Sequence, residues 1–198
     1  MASLTEQVLG QIQSGGIGQM SEALGVGQEE VSKVVGGAVP ALVAALVRNS
    51  GSAEGASSLL GALDRDHDGS ILNDVAGFLG NSASADQGVG IVRHALGGSQ
   101  GRVENALSQT SGLDAASVGK IIAMVAPLVM GALGRTKQQQ GLDAGGLASM
   151  LGQERETARQ RSPEAVDMLT RFLDSDDDGS AMDDIAAIGT KMLGGLFK

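Results

Sequence analysis

Two copies of one acidic pattern carry the residues of this chain that could do chemistry. In each copy aspartate recurs at alternate positions, a glycine follows, and a second polar or acidic pair returns four residues after that glycine. Carboxylate oxygens at alternate positions, closed by a glycine turn, are the arrangement by which a loop wraps Ca²⁺. The candidate calcium ligands are Asp64, Asp66, Asp68 and Asp74 in the first acidic loop (residues 64–74) and Asp174, Asp176, Asp178, Asp183 and Asp184 in the second acidic loop (residues 174–184).

The acidity of the protein is concentrated in these two loops. The 198 residues carry a net charge of −9. The first acidic loop holds four aspartates and one arginine and the second holds six aspartates, so the charges elsewhere sum to zero. Because a protein of this charge is repelled by a phosphate backbone, we expect no nucleic-acid partner.

Both loops depart from the EF-hand pattern at its last position. An EF-hand closes with a bidentate glutamate, whereas these loops have Val75 and Ile185 there. Without that ligand the calcium affinity is expected to fall toward about 10⁻⁴–10⁻³ M. The second loop is favoured as a calcium site because it has Asp183 where the first has Asn73. The alternative is an aspartate-rich connector whose carboxylates cap the exit helix and are otherwise solvated.

The elements that position the loops are predicted to be helical, because no segment shows a sustained alternation of β-branched residues. Ser3 with Glu6 indicates a capping box that opens the first helix. A short helix is expected to end at Gly25, and Pro40 is expected to break or kink a third helix or to start a new one. The first acidic loop is expected between helices over residues 53–63 and 71–79, the exit helix being capped by Ser70.

An internal duplication organises the chain. Residues 31–43 align with residues 118–130, and Pro40 and Pro127 fall in register at an offset of 87. The acidic loops are 110 residues apart, so the second copy carries a 23-residue insertion within about residues 136–161. We therefore predict a first helical unit over residues 1–80, a linker over 81–86 and a second unit over 87–198. The predicted fold is an all-α duplicated bundle of short helices with two EF-hand-like acidic helix-loop-helix segments.

Composition and motifs exclude several classes of function. The chain has no cysteine, which excludes disulfides and thiolate chemistry. It shows no nucleophile elbow, Ser-His-Asp order or phosphate-cradling glycine motif, so we expect no catalytic residues and no enzyme activity. No export signal is visible at the start of the chain, which makes a cytoplasmic location the expectation. The uncharged run over residues 121–134 spans about 21 Å as a helix, short of a bilayer core, and predicts a buried helix rather than a transmembrane segment.

Four of these motifs together resemble a known bacterial family, the YidB-like domain of unknown function (number 937). The residues that carry the resemblance are Leu24-Gly25, Glu29-Glu30-Val31, the run Pro40 to Leu46 followed by Arg48-Asn49, and Leu63 to Ser70, the last of which Leu173 to Ser180 matches more loosely. The resemblance implies a compact all-helical bacterial domain. It brings no established activity, and two tandem units with an insertion in the second depart from the family pattern.

Three functional hypotheses follow, the third being a membrane-surface or secreted interaction factor suggested by the apolar C-terminal run Met192 to Phe197. In the first, the protein is a non-catalytic helical protein whose acidic loops bind Ca²⁺ weakly and stiffen the fold. In the second, it is a scaffold that self-associates or binds a protein partner, and its acidic loops are solvated helix caps that bind no metal. The second rests on the helices rich in Ala, Gly and Met around residues 36–46 and 121–133, because methionine gives an adaptable apolar surface.

Overall fold

The computed structural model describes residues 3–80 and 84–161, and every regular element within these ranges is helical. The all-α prediction is confirmed. The second acidic loop and its exit helix, predicted over residues 181–197, lie outside the described residues.

Nine α-helices form the described fold. Their bounds are α1 Leu4–Gln11, α2 Ile17–Leu24, α3 Gln28–Asn49, α4 Ala53–Asp66, α5 Val75–Leu79, α6 Ser84–Leu96, α7 Gln100–Ser111, α8 Ala115–Gln140 and α9 Ala144–Arg161. A π-helical turn, Ile12–Gly16, joins α1 to α2, and 3₁₀ turns at Ser70–Asn73 and Gly97–Ser99 precede α5 and α7. Since α6 begins at Ser84, the last three residues of the predicted linker are helical.

The start of α1 is fixed both locally and by a distant residue. The Ser3 hydroxyl accepts a hydrogen bond from the Glu6 backbone N–H at 3.2 Å, and the Glu6 carboxylate accepts one from the Ser3 N–H at 2.8 Å. This confirms the predicted capping box. The Leu4 N–H, which has no partner inside the helix, donates to the Glu154 carboxylate of α9 at 2.9 Å.

Pro40 and Pro127 each lie inside a continuous helix. Pro40 lies within α3 and Pro127 within α8, so the predicted break or new start at Pro40 is wrong. Proline removes one backbone donor and crowds the preceding turn. Burial of the neighbouring Val39 and Ala41 outweighs that local cost, because α3 passes through the core on both sides of the proline.

The core is built around α8. Every residue from 121 to 134 is buried, and α3, α6 and α7 pack along the helix. By length and composition alone α3 and α8 are both apolar enough to cross a membrane, but 78% of the most apolar stretch of α8 and 56% of that of α3 are buried inside the protein. This is the burial expected of core helices. Side chains from both sides of residue 81 belong to one hydrophobic cluster, and the division into two units stays a prediction.

One turn occurs twice, 87 residues apart. Gly25 and Gly112 end α2 and α7 in the left-handed conformation, with φ of 67° and 83°. The hydroxyls of Ser21 and Ser108 each donate to the carbonyl five residues further on, at 2.6 and 2.5 Å. The predicted helix end at Gly25 is confirmed.

Helix α9 occupies the region in which the insertion was predicted. The helix begins at Ala144 and runs to Arg161. Leu147 and Leu151 are fully buried, and α9 packs against α4 and α3. Core contacts therefore hold the first half of α9, and its polar second half continues the helix.

Candidate functional site: the first acidic loop and helix α8

The first two aspartates of the first acidic loop belong to helix α4, which continues to Asp66. Because an α-helix turns about 100° per residue, Asp64 and Asp66 leave it about 200° apart. The two carboxylates therefore cannot face one ion without unwinding the last turn of α4. The EF-hand-like arrangement expected from the sequence is not confirmed at this loop.

Asp64 pairs with a lysine from α8. Its carboxylate accepts a hydrogen bond from the Lys137 ammonium, which forms a salt bridge between residues 73 positions apart. The Lys137 side chain is 18% exposed and that of Asp64 53%. The lysine is the better shielded partner, so salt screens this pair less than a fully exposed one.

Arg135 holds the middle of the loop. Its Nη2 atom donates to the Gly69 carbonyl at 2.6 Å and to the Asn73 side-chain oxygen at 2.7 Å. A guanidinium presents several donors in a fixed plane, which allows one side chain to bridge two acceptors of a loop. Arg135 thereby connects the start and the end of the Ser70–Asn73 turn.

Three glycines allow the loop backbone to lie directly on α8. A Cβ added to Gly134 would lie 1.7 Å from the His67 carbonyl oxygen, and one added to Gly131 would lie 2.5 Å from a methyl carbon of Ile71. Gly69 has φ of 88° and lies against Arg135. The sharp turn predicted at Gly69 is confirmed, because only glycine adopts this conformation without strain. Gly131, Gly134, Arg135 and Lys137 together are called the α8 face below.

The remaining two carboxylates bind backbone N–H groups. Asp68 accepts from the Ser70 N–H at 2.9 Å, and hydrogen bonds from the Ser70 hydroxyl and N–H lower the pKa of Asp68. Asp74 accepts from the Gly77 N–H at 2.8 Å and is the N-cap of α5. The exit helix therefore starts at Val75 and is capped by Asp74, so the prediction of Ser70 as its cap is wrong.

The physical reason for that correction lies in the 3₁₀ turn. Ser70–Asn73 forms this turn, which buries Leu72 and places Ile71 against Gly131 of α8. A regular helix starting at Ile71 would rotate these side chains away from their contacts. Packing on α8 therefore delays the start of α5 by four residues.

His67 is the C-cap of α4, and its side chain is half-buried. Burial lowers the pKa of His67 below its ordinary value, and the nearby Asp66 opposes that shift only in part. The neutral imidazole is thus the form that the folded loop favours.

An open polar pocket of about 390 Å³ adjoins the loop and the α8 face. It is lined by Asp68, Gly69, Ser70, Asn73, Arg135, Gln138 and Gln139. Within residues 3–80 and 84–161, no group of three or more His, Cys, Asp or Glu side chains is placed to hold a metal ion. Asp64 is instead bound to an ammonium and Asp68 and Asp74 to backbone N–H groups, while Asp66 is exposed.

The sequence prediction missed Arg135 and Lys137 as partners of the loop. They follow the apolar run of α8 directly and lie more than 60 residues from the aspartates, a separation at which spacing carries no signal. Two glycines one helical turn before them, at Gly131 and Gly134, were the available sign that another backbone approaches this helix.

Comparison with known proteins gives the family. A family model described as "Bacterial protein of unknown function (DUF937)" matches residues 6–136. The chain belongs to the DUF937 family. The resemblance stated from the sequence is thereby confirmed for the family, and the tandem units stay a prediction. No curated protein and no solved structure matches the chain.

The DUF937 match runs from α1 into the last turns of α8 and crosses residues 81–86 without interruption. The first acidic loop, both glycines of the α8 face and Arg135 lie within it. Lys137 and all of α9 lie beyond it. The contact between loop and α8 thus belongs mainly to the matched DUF937 region.

Proposed function

We propose that this DUF937 protein is a non-catalytic helical scaffold in which the first acidic loop fastens α4 and α5 to α8. The observation that carries the proposal is the pair of cationic contacts from α8, Lys137 to Asp64 and Arg135 to Gly69 and Asn73. Lys137 and Arg135 would then neutralise and hold this loop, as Ca²⁺ was expected to do.

The chemistry of the carboxylates supports a structural role. Asp68 is engaged by the N–H of Ser70, Asp74 by the N–H of Gly77, and Asp64 by Lys137. Held in this way, Asp68 caps a turn and Asp74 caps a helix. A general acid or base needs a pKa near neutrality, and the hydrogen bonds to Asp68 move its pKa in the opposite direction.

The duplication belongs to this proposal and is supported by the shared turn. The two serine–glycine turns, the starts of α3 and α8 and the enclosed prolines all repeat at an offset of 87. We infer two copies of one helical motif whose central helices, α3 and α8, pack against each other in a common core.

Calcium binding at the second acidic loop is a second candidate, favoured by a difference between α3 and α8. The α3 positions that match Gly131, Gly134 and Lys137 are Ala44, Val47 and Ser50. This helix therefore offers neither the close approach nor the lysine that the first loop uses. The six aspartates of the second loop, without that close approach and lysine on α3, repel one another more strongly, which favours an external cation. The affinity is the weak one expected without a closing glutamate.

The test is a calcium titration of the full chain followed by backbone NMR and thermal melting. If Arg135 and Lys137 already serve the first loop, millimolar Ca²⁺ leaves the amide signals of Gly69 and Gly77 in place. Replacing Lys137 with alanine lowers the melting temperature in the absence of metal. Calcium-dependent shifts at Gly69 with no effect of Lys137→Ala would contradict the proposal and favour a metal site in the first loop.

A further inference from the structure

Two contacts of the α8 face are made to the backbone of the first acidic loop. Arg135 donates to the carbonyl of Gly69, and the missing Cβ of Gly134 makes room for the carbonyl of His67. Contacts of this kind depend on the path of the chain more than on its side chains. A second segment that can follow the same path meets the same donors.

Apart from Ile71, the second acidic loop and the leucine before it carry counterparts of the residues at this contact. Leu173 aligns with the buried Leu63, and Gly179 aligns with Gly69, which has a left-handed conformation. Asp174 aligns with Asp64, the partner of Lys137. Asp183 stands for Asn73, so the hydrogen bond to Arg135 would become one between two charged groups, which is shorter and stronger than its neutral equivalent.

One replacement favours the first loop. Ala181 stands where Ile71 packs against Gly131, and an alanine covers less apolar surface than an isoleucine. The first loop therefore has the better apolar contact and the second loop the better electrostatic one. The two sequences are matched closely enough to compete.

Helix α3 cannot serve as a second copy of the α8 face. Ala44 and Val47 carry a Cβ at the positions where Gly131 and Gly134 have none. A Cβ at Gly134 would lie 1.7 Å from a backbone oxygen of the loop, so the same path over α3 is blocked. The described part of the chain thus offers one such face, while the sequence offers two acidic loops.

We propose that the second acidic loop of the same chain binds the α8 face in competition with the first.

The segment that connects α8 to the second acidic loop is long enough for this contact. Helix α9 is about 27 Å long, from 18 residues at 1.5 Å each, and begins four residues after α8 ends. The 12 residues from Arg161 to Leu173 reach up to about 40 Å when extended, which exceeds the length of α9. Exchange separates the first acidic loop from the α8 face.

Disulfide trapping tests the exchange, because the natural chain has no cysteine that would interfere. Gln138→Cys, beside the α8 face, is combined with Ser180→Cys in the full chain, in the presence of a chelator. Ser70→Cys with Gln138→Cys is the positive control, since both residues line the pocket next to the loop. Ser180→Cys with Ala116→Cys is the matched negative control, because Ala116 lies about 33 Å from Gln138 along α8.

The expected result is an intramolecular cross-link between positions 180 and 138 that forms several-fold faster than that between 180 and 116. Adding Asn73→Ala to the 138/180 cysteine pair weakens the contact of the first loop and raises the rate of this cross-link. Adding Asp183→Asn instead, with Asn73 retained, lowers the rate. Equal rates for the two pairs, with the positive control reactive, would overturn the proposal. A cross-linked dimer without the intramolecular product would overturn it as well, because the occupant would then come from a second copy. Thermal melting of each variant confirms that it is folded.

Discussion

The ammonium of Lys137 lies against the carboxylate of Asp64, which precedes it by 73 residues. This contact decides how the first acidic loop is neutralised, because it joins the last turn of α4 to the C-terminal part of α8. Two residues earlier on α8, Arg135 binds the carbonyl of Gly69. The loop is thus held at two points by one helix.

Lys137→Ala is expected to lower the free energy of unfolding by about 0.5–1 kcal/mol, since the pair is only partly shielded from water. Chemical denaturation measures the change. The same substitution in an Asp64→Asn background should cost much less, because the partner charge is already gone. Lys120→Ala, an exposed lysine on the same helix, is the control and should have little effect.

Gly134→Ala is expected to destabilise the protein by about 1–3 kcal/mol, because the new methyl group overlaps the His67 carbonyl oxygen. The matched control is Gly36→Ala in α3, where a Cβ meets nothing within 4 Å. That substitution should stabilise by up to about 1 kcal/mol through helix propensity. Equal effects at the two positions would show that the loop does not lie on α8 in this way.

Acidification should lower the stability of the protein through protonation of His67 in the first loop. Burial lowers its folded-state pKa below the ordinary 6.5, so the unfolded chain binds more protons in the window just below that value. Stability should therefore fall as the pH drops through about 6.5 and level off below the folded-state pKa. His67→Gln should remove this dependence in melting curves, whereas His94→Gln, at an exposed position, should retain it.

Asp74→Ala is expected to cost about 1 kcal/mol, because it removes the side chain that caps α5. Ser70→Ala should cost less, since Ser70 begins a 3₁₀ turn and does not cap the exit helix. Melting temperatures of the two variants compare them directly. A larger loss for Ser70→Ala would restore the helix start that the sequence predicted.

The two loops should differ in their response to calcium. Asp176→Asn with Asp178→Asn removes two of six carboxylates from the second loop and should reduce any calcium-induced rise in melting temperature. Asp66→Asn with Asp68→Asn should reduce it less, because the first loop has protein cations beside it. A larger effect of the first-loop pair would reverse this ranking of the sites.

The sequence alone determined the features that depend on neighbours in the chain. The capping box of Ser3 and Glu6, the helix end at Gly25 and the left-handed turn at Gly69 each need only a few consecutive residues. The lack of any sustained alternation of β-branched residues likewise sufficed for the helical class. Backbone preferences and hydrogen bonds across three or four residues act before any tertiary contact forms, so their signals are readable directly.

Only the tertiary structure decided the features that bring distant segments together. It carried α3 through Pro40, delayed α5 to Val75 and placed Arg135 and Lys137 beside the aspartates of the first loop. At Pro40 and at the start of α5, burial in the core outweighed a local preference. The physical reason is that the energy of such contacts depends on which surfaces meet, and residues more than 60 positions apart leave no trace of that meeting in their spacing.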